Sequence, residues 1–266
     1  ILVIGGGGYI GSELVKEPQA GNLAETVLSR KHCDLLDKEC LREKVQNFDI
    51  VINLASVVRT FDKNKYAQNL AGLINLTEVL KENNINKLVH FSTQNVNLSS
   101  KGPYAKSKLD CENFLKNCGL GCIIIRPNLV YGIDRKNDFF RLAYIISRFK
   151  MAPIIGSGKN KIQPIQNSDL AKITVNLVNN FTNGLIAEIS GKETVSINEV
   201  IDYIGGKLQR SPIKIHLPIF ILKVFKRFIP FDIDGFAEDR ISKNPLVGEG
   251  SFFANLDPIL CLLKKK

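Results

Sequence analysis

Ile1-Leu2-Val3-Ile4-Gly5-Gly6-Gly7-Gly8-Tyr9-Ile10-Gly11 reads as a short buried strand, a glycine turn and the start of a helix at about Ile10. The glycines carry no Cβ atoms, so backbone N–H groups in such a turn approach a diphosphate closely. The helix N-terminus puts partial positive charge beneath it. Two registers fit, Gly6-x-Gly8-x-x-Gly11 and Gly5-x-x-Gly8-x-x-Gly11. A glycine run alone also occurs in plain loops. Between an apolar strand and a helix it stands in the context that a dinucleotide-binding turn requires.

Outward from this turn, strands and helices alternate. Residues 25–29 read as a second strand, with Pro18 breaking the intervening helix early. A helix is expected at 38–46, a strand at 49–55, and a helix at 66–83 with Leu70, Leu73, Ile74, Leu76 and Leu80 on its apolar side. A strand follows at 86–92, a helix at 103–117, and a strand at 121–126 stopped by Pro127. Several strands are apolar throughout, which calls for a parallel sheet covered on both faces. After Gly132 the alternation loosens. Helices are expected at 139–149 and at 168–180, the second capped by Ser168 and Asp169. A strand at 185–189 returns to the sheet. Ser196-Ile197-Asn198-Glu199 is a capping box opening a helix that ends near Gly205-Gly206. Residues 217–228 are apolar with Lys223, Lys226 and Arg227 interspersed. They are expected to form a buried helix, the alternative being contact with a partner or an acidic membrane surface. The fold class is therefore α/β: a Rossmann-type doubly wound parallel sheet over residues 1–132, with 168–190 returning to it. A smaller C-terminal substrate-binding lobe comprises 133–167 and 191–266.

The composition is that of an ordinary globular protein, 44% hydrophobic and 23% charged over 266 residues. No apolar run reaches the ~18 residues of a membrane span. No secretory signal is read, and a cytoplasmic location is expected. Cys33, Cys40, Cys111, Cys118, Cys122 and Cys261 contain no CxxC pair and read as free thiols in a reducing compartment. His32, His90 and His216 are scattered, so no metal site is expected. The net charge of +10 suits nucleic acid, anionic lipid or an anionic small substrate such as a nucleotide-sugar, and a chain rich in Lys, Ile and Asn throughout gives the plain alternative. Zinc-finger spacing, RNP-type aromatics and a basic tail are all missing and the lysines are spread out, which argues against nucleic acid.

Tyr104-Ala105-Lys106-Ser107-Lys108 lies near the start of a helix and follows a strand ending in Ser92-Thr93. Tyr104 and Lys108, four apart, share one helix face. An ammonium beside a phenol favours the phenolate, so the pair can exchange a proton with an alcohol or carbonyl near neutral pH. The same lysine can hold a ribose hydroxyl.

With these residues in place the sequence resembles the extended short-chain dehydrogenase/reductases, in the NAD-dependent epimerase/dehydratase group. Further landmarks fall in the family's order. Asn53-Leu54-Ala55-Ser56 resembles its His-x-Ala-Ala turn, and Asn69-Leu70-Ala71-Gly72 its Asn-Val-x-Gly helix. Phe91-Ser92-Thr93 resembles the strand end carrying the catalytic Ser or Thr. Arg126-Pro127-Asn128-Leu129-Val130-Tyr131-Gly132 resembles the stretch beside the nicotinamide, and residues 163–171 resemble the later substrate-side motif. The resemblance implies Tyr104 as acid/base, Lys108 as its electrostatic partner and ribose ligand, and Thr93 hydrogen-bonding the reacting oxygen, with Ser92 as the alternative. It implies a cofactor site of Gly5, Gly8, Tyr9, Ile10, Gly11, Arg30, Asp34, Leu35, Leu54, Ala55, Ser56, Asn69, Tyr104, Lys108 and Pro127. Ser92, Thr93 and Asn128 are expected to touch substrate. A homodimer through helices 66–83 and 103–117 is likewise expected from the resemblance.

Four departures narrow the expectation. Gln94 and Asn95 stand where a sugar-nucleotide 4,6-dehydratase shows an acid pair, so elimination lacks its acid and base. Only ten residues separate Thr93 from Tyr104, short for a segment that shapes the substrate pocket. The stretch before Asp34 is shortened, as in the sugar-nucleotide reductases. The second strand ends in Ser29-Arg30-Lys31 rather than an acid, which favours NADP over NAD because an Arg accommodates a 2′-phosphate. The expected function is an NAD(P)-dependent epimerase or reductase acting on a nucleotide-sugar. The alternatives are a non-catalytic accessory protein resembling the Rossmann-like subunit of respiratory complex I, and a reductase of a small hydrophobic carbonyl.

Overall fold

Leu2 and Ile4 face one side of the first strand and Val3 the other, and all three are buried. A strand apolar on both faces needs a layer on each side, and the computed structural model, which describes residues 1–17, 27–133, 137–230 and 233–263, supplies both. The strands are β1 (Leu2–Ile4), β2 (Val27–Leu28), β3 (Ile50–Asn53), β4 (Lys87–Phe91), β5 (Gly121–Pro127), β6 (Val130–Tyr131), β7 (Met151–Ile155), β8 (Lys161–Ile162), β9 (Ile165–Gln166), β10 (Ile186–Ser190), β11 (Val195–Ser196), β12 (Ile213–Leu217) and β13 (Leu246–Val247). The α-helices are α1 (Gly11–Leu14), α2 (Lys38–Lys44), α3 (Ala67–Glu82), α4 (Pro103–Leu115), α5 (Asp138–Phe149), α6 (Asn167–Asn179), α7 (Ile197–Lys207), α8 (Ile219–Val224) and α9 (Phe252–Cys261). Glu25, Thr26, Pro18 and part of the expected second strand lie outside the described residues.

A seven-stranded sheet runs in the order β13-β10-β5-β4-β3-β1-β2, every pairing parallel. One face packs Leu2, Val51, Leu88 and Ile124 against Leu73, Leu76 and Leu80 of α3 and Leu115 of α4. The other packs Val3, Ile52, Val89 and Ile123 against Leu14 of α1 and Leu170 and Val175 of α6. The smaller lobe has its own core, in which Tyr131, Phe139, Ile154, Ile201, Phe252 and Leu256 meet.

The structure departs from the sequence reading in five places. β13 joins the main sheet beside β10 from within the stretch assigned to the lobe. The predicted capping box forms, with Ser196 and Glu199 bonded reciprocally. The helix it opens nevertheless runs through Gly205-Gly206 to Lys207. Gly205 serves the return of the chain, because a Cβ there would lie 2.9 Å from the Arg210 carbonyl oxygen. Ser168 and Asp169 do not cap α6: the helix starts at Asn167, and Asp169 accepts from the Gly250 N–H. Cys33 and Cys40 form a disulfide rather than standing as free thiols. The expected buried helix over 217–228 is instead a short exposed one: Phe220, Val224 and Phe228 are 71%, 77% and 73% exposed. Its apolar stripe faces away from the lobe core.

Candidate active site

The two registers share Gly8 and Gly11; Gly6 is crowded, a Cβ there lying 2.6 Å from Val27 Cγ1, and Gly5 is the one of the pair with a positive φ. Gly5 has φ +83°, a conformation that L side chains rarely adopt. A Cβ on Gly8 would lie 3.1 Å from the Gly5 carbonyl oxygen, and one on Gly11 would lie 2.5 Å from both that oxygen and the Gly6 Cα. Gly6 faces the Val27 side chain, and Gly7 is open, with nothing nearer than 3.9 Å. Gly11→Ala is therefore expected to lower folding stability by about 1–3 kcal/mol through backbone overpacking, and Gly7→Ala by no more than about 0.5 kcal/mol. Thermal melts of the two variants measure the contrast.

Beside a cavity of about 720 Å³ that touches Gly7, Gly8 and Tyr9, two further cavities meet at this turn. One, of about 430 Å³, runs past Gly5 and Gly8 to Ser29, Arg30, Asp34 and Leu35. The other, of about 410 Å³, runs from Gly5, Gly8 and Gly11 to Thr93, Tyr104, Lys108 and Pro127. Leu54, Ser56 and Val58 line both, and Ala55 and Asn69 line the first. Tyr9 and Ile10 line the second. A glycine cradle between two cavities fits a dinucleotide, its diphosphate over the turn and one nucleoside on each side.

Pro103 at the first helical position opens α4, a place where its missing N–H costs nothing. Tyr104 follows at once, its ring tilted against Tyr66 with centroids 5.9 Å apart. The Tyr66 hydroxyl donates to the Val58 carbonyl, which fixes this wall. One turn along α4, Lys108 is buried and its Nζ donates to the Phe91 carbonyl at 2.7 Å, at the end of β4. Burial pushes the Lys108 ammonium down to about 8, with Cys111 and Glu112 opposing the shift. Neighbouring His90 is held neutral, its imidazole pushed well below its usual range by burial and by Lys108.

Several expected site residues are engaged by the protein itself. Asn69 accepts from the Ser56 hydroxyl and the Val57 N–H and donates to the Ser107 hydroxyl, clamping the loop after β3 to α4. Asn128 donates to the Arg240 carbonyl and accepts from the Leu129 N–H. The Ser92 hydroxyl donates to Glu112 at 2.5 Å, whereas Thr93, which also lines the cavity, has no side-chain partner among the described residues. Thr93 Oγ1 accepts from the Asn95 N–H at 3.3 Å. Arg30 and Asp34 form an ion pair of 2.9 Å at the rim of the first cavity.

Two residues of the site escaped the sequence reading. Glu112, fully buried, takes a hydrogen bond from Ser92, just past β4, and a two-pronged contact from Arg126 of β5. It stands one turn beyond Lys108, as Lys108 stands one turn beyond Tyr104, so helical spacing alone could have found it. Arg240 lines the second cavity from the lobe side, its backbone tied to Lys161 and its guanidinium 5.5 Å above the Phe236 ring. Among the described residues its guanidinium has no hydrogen-bond or ion-pair partner, and its Nε is buried. Burial pushes it down to about 10. No local pattern marks this arginine in the sequence.

A parallel sheet turning at residues 5–11 into a helix, with two cavities meeting at that turn, defines a Rossmann-type dinucleotide-binding protein. The chain matches the NAD dependent epimerase/dehydratase family over residues 1–190 and belongs to it. It is 27% identical over 193 residues to the mouse protein NADH dehydrogenase (ubiquinone) 1 alpha subcomplex subunit 9, mitochondrial, covering 71% of this chain and 50% of that one. It is also 27% identical over 253 residues to a putative UDP-glucose 4-epimerase of Methanocaldococcus jannaschii, covering 78% of this chain and 82% of that one. The solved UDP-glucose 4-epimerase of Thermotoga maritima, at 17% identity, shares the fold with a TM-score of 0.79 over 99% of this chain and 98% of its own. The chain thus spans about half the length of the mouse relative and nearly all of the bacterial epimerase fold.

Proposed function

We propose that the protein is an NAD(P)-dependent epimerase or reductase of a nucleotide-linked sugar, with Tyr104 as its acid/base. The observation that carries this reading is one cavity lined by Thr93, Tyr104 and Lys108 together with an arginine, Arg240, that has no anionic partner among the described residues. Bound NAD(P) supplies hydride acceptance or donation at the substrate carbon. Tyr104 moves the proton of the reacting hydroxyl, and Thr93 holds that oxygen in place. Lys108 stabilises the phenolate, and its hydrogen bond to the Phe91 carbonyl fixes where the ammonium stands. Arg240 and Lys108 together make the cavity cationic, which suits a substrate carrying phosphate. The nucleotide-sugar names of the epimerase relatives support the same substrate class.

Arg30 at the rim of the first cavity supports NADP(H), and its pairing with Asp34 means that a 2′-phosphate competes with that carboxylate. Titration with both dinucleotides reads the preference.

The second reading, a non-catalytic cofactor-binding protein, rests on the similarity to the mitochondrial NADH dehydrogenase subunit. Purified protein, checked for bound NAD(P)(H), is offered UDP-, GDP- and dTDP-sugars. Conversion of one of them supports the enzyme, and Arg240→Leu is then expected to raise its KM by about tenfold or more, with dinucleotide affinity unchanged. Tight dinucleotide binding with turnover of none of the panel favours the second reading.

A further inference from the structure

We infer that the outer face of the β7–β12 pair and the adjoining α8 form a docking surface for an anionic lipid bilayer. In the β7–β12 ladder, Ala152 and Ile154 are buried in the lobe core. The alternate positions stand on the opposite face: Ile213, paired with Met151, is 67% exposed, and Ile215 and Leu217 continue the row. One proline later α8 begins, with Ile219 and Leu222 half-buried and Phe220 and Val224, one turn apart, exposed. Phe228 extends the stripe. A sheet face and a helix stripe joined through Pro218 expose a run of large apolar side chains, more than the single exposed ones that need no explanation.

Charge selects the occupant. Residues 139–168, which include β7, and residues 203–231, which include β12 and α8, contain five and six Lys or Arg residues and not one Asp or Glu. Carboxylates from elsewhere pair with Arg141, Lys161, Lys207 and Lys214. Among the described residues Arg148, Lys150, Arg210 and Arg227 have no such partner, and all four are exposed. The lysines and arginines look dispersed along the chain, but the fold brings the acid-free stretches together. An apolar centre with a basic rim is the pattern of an interfacial membrane surface, where side chains enter the acyl boundary and cations meet lipid phosphates. A second copy seated on the same face would bring uncompensated cations opposite one another. A polyanion such as nucleic acid has no use for the apolar centre.

The surface also lies close to the cleft. The Thr60 N–H donates to the Pro230 carbonyl, and Lys63 Nζ donates to the Ile229 carbonyl at 2.7 Å. These bonds tie the segment after α8 to the loop carrying Val58, which lines both cavities.

The test is vesicle flotation of the whole chain with phosphatidylcholine vesicles, pure or containing phosphatidylglycerol. Binding to the anionic vesicles is expected to exceed that to neutral ones by about tenfold and to weaken with salt. Phe220→Asp with Val224→Asp, and separately Arg148→Glu with Arg227→Glu, are each expected to reduce it by about tenfold. All four positions are exposed, and unchanged melting and dinucleotide affinity show that the variants are folded. The proposal is overturned if anionic vesicles recover no more protein than neutral ones, or if neither double variant loses binding. It is equally overturned if light scattering finds a dimer that the Phe220/Val224 variant dissociates, which makes the surface a self-interface. Heparin binding as strong as vesicle binding, and untouched by that variant, would make it a polyanion site instead.

Discussion

Tyr104→Phe is expected to lower turnover of the nucleotide-sugar by about 10²–10⁴-fold while the protein still binds its dinucleotide. The substitution removes one hydroxyl and leaves the ring, which keeps its packing against Tyr66. The proton of the reacting oxygen then loses its acceptor, because His90 is buried outside the cavity lining with its basicity depressed, and Ser92 is committed to Glu112. The wild-type pH profile gives a second readout. Lys108 is charged below its depressed value of about 8 and neutral above it. As pH rises through 8 the ammonium that favours the phenolate is lost, so the rate is expected to fall on the alkaline side there. Steady-state kinetics from pH 6 to pH 10 (a span of about two units either side of that value) measure both effects. Full activity in the phenylalanine variant would remove Tyr104 from the chemistry.

The largest effect on stability is expected at Glu112. Its carboxylate is fully buried and meets Arg126, whose side chain is 15% exposed, as well as the Ser92 hydroxyl. Glu112→Ala leaves a nearly buried guanidinium without its main partner, a class of change that costs about 3–5 kcal/mol. Arg126 retains Glu188 at 3.7 Å and a hydrogen bond to Asn97, which places the loss at the lower end, about 3 kcal/mol. For a chain of this size that corresponds to a melting temperature lower by about 6–12 °C. The damage falls where the active site is assembled, since Glu112 links α4 to the ends of β4 and β5. A thermal melt checks the stability, and an unchanged melting temperature would show that Arg126 finds another partner.

Much of the fold was legible in the sequence because its strands are apolar throughout and its helices keep a regular apolar side. Both features follow from burial of a parallel sheet on two faces. The glycine turn, the Tyr104–Lys108 pair and Thr93 were legible for a related reason: short-range spacing fixes their relation on a turn, a helix face and a strand end. Features that depend on distant segments were not. Val247 and Leu246 carry no signal that they join the main sheet. Arg240 reaches the cavity of Tyr104 only because the lobe ties its backbone to Lys161. Cys33 and Cys40, seven residues apart, pair through the shape of the loop between β2 and α2. Residues 217–228 were read as buried because an apolar helix usually is. Their exposure could be seen only once the lobe core was found complete without them.

The account depends on a dinucleotide lying across the two cavities, with its reactive ring beside Tyr104. A crystal structure of the protein grown with NAD(P) tests this most directly. The account predicts the diphosphate over Gly5, Gly8 and Gly11, one nucleoside between Arg30 and Leu35, and the nicotinamide between Tyr104 and Pro127. Cavities left empty at saturating dinucleotide, or a nicotinamide bound with the Tyr104 hydroxyl turned away from it, would contradict it.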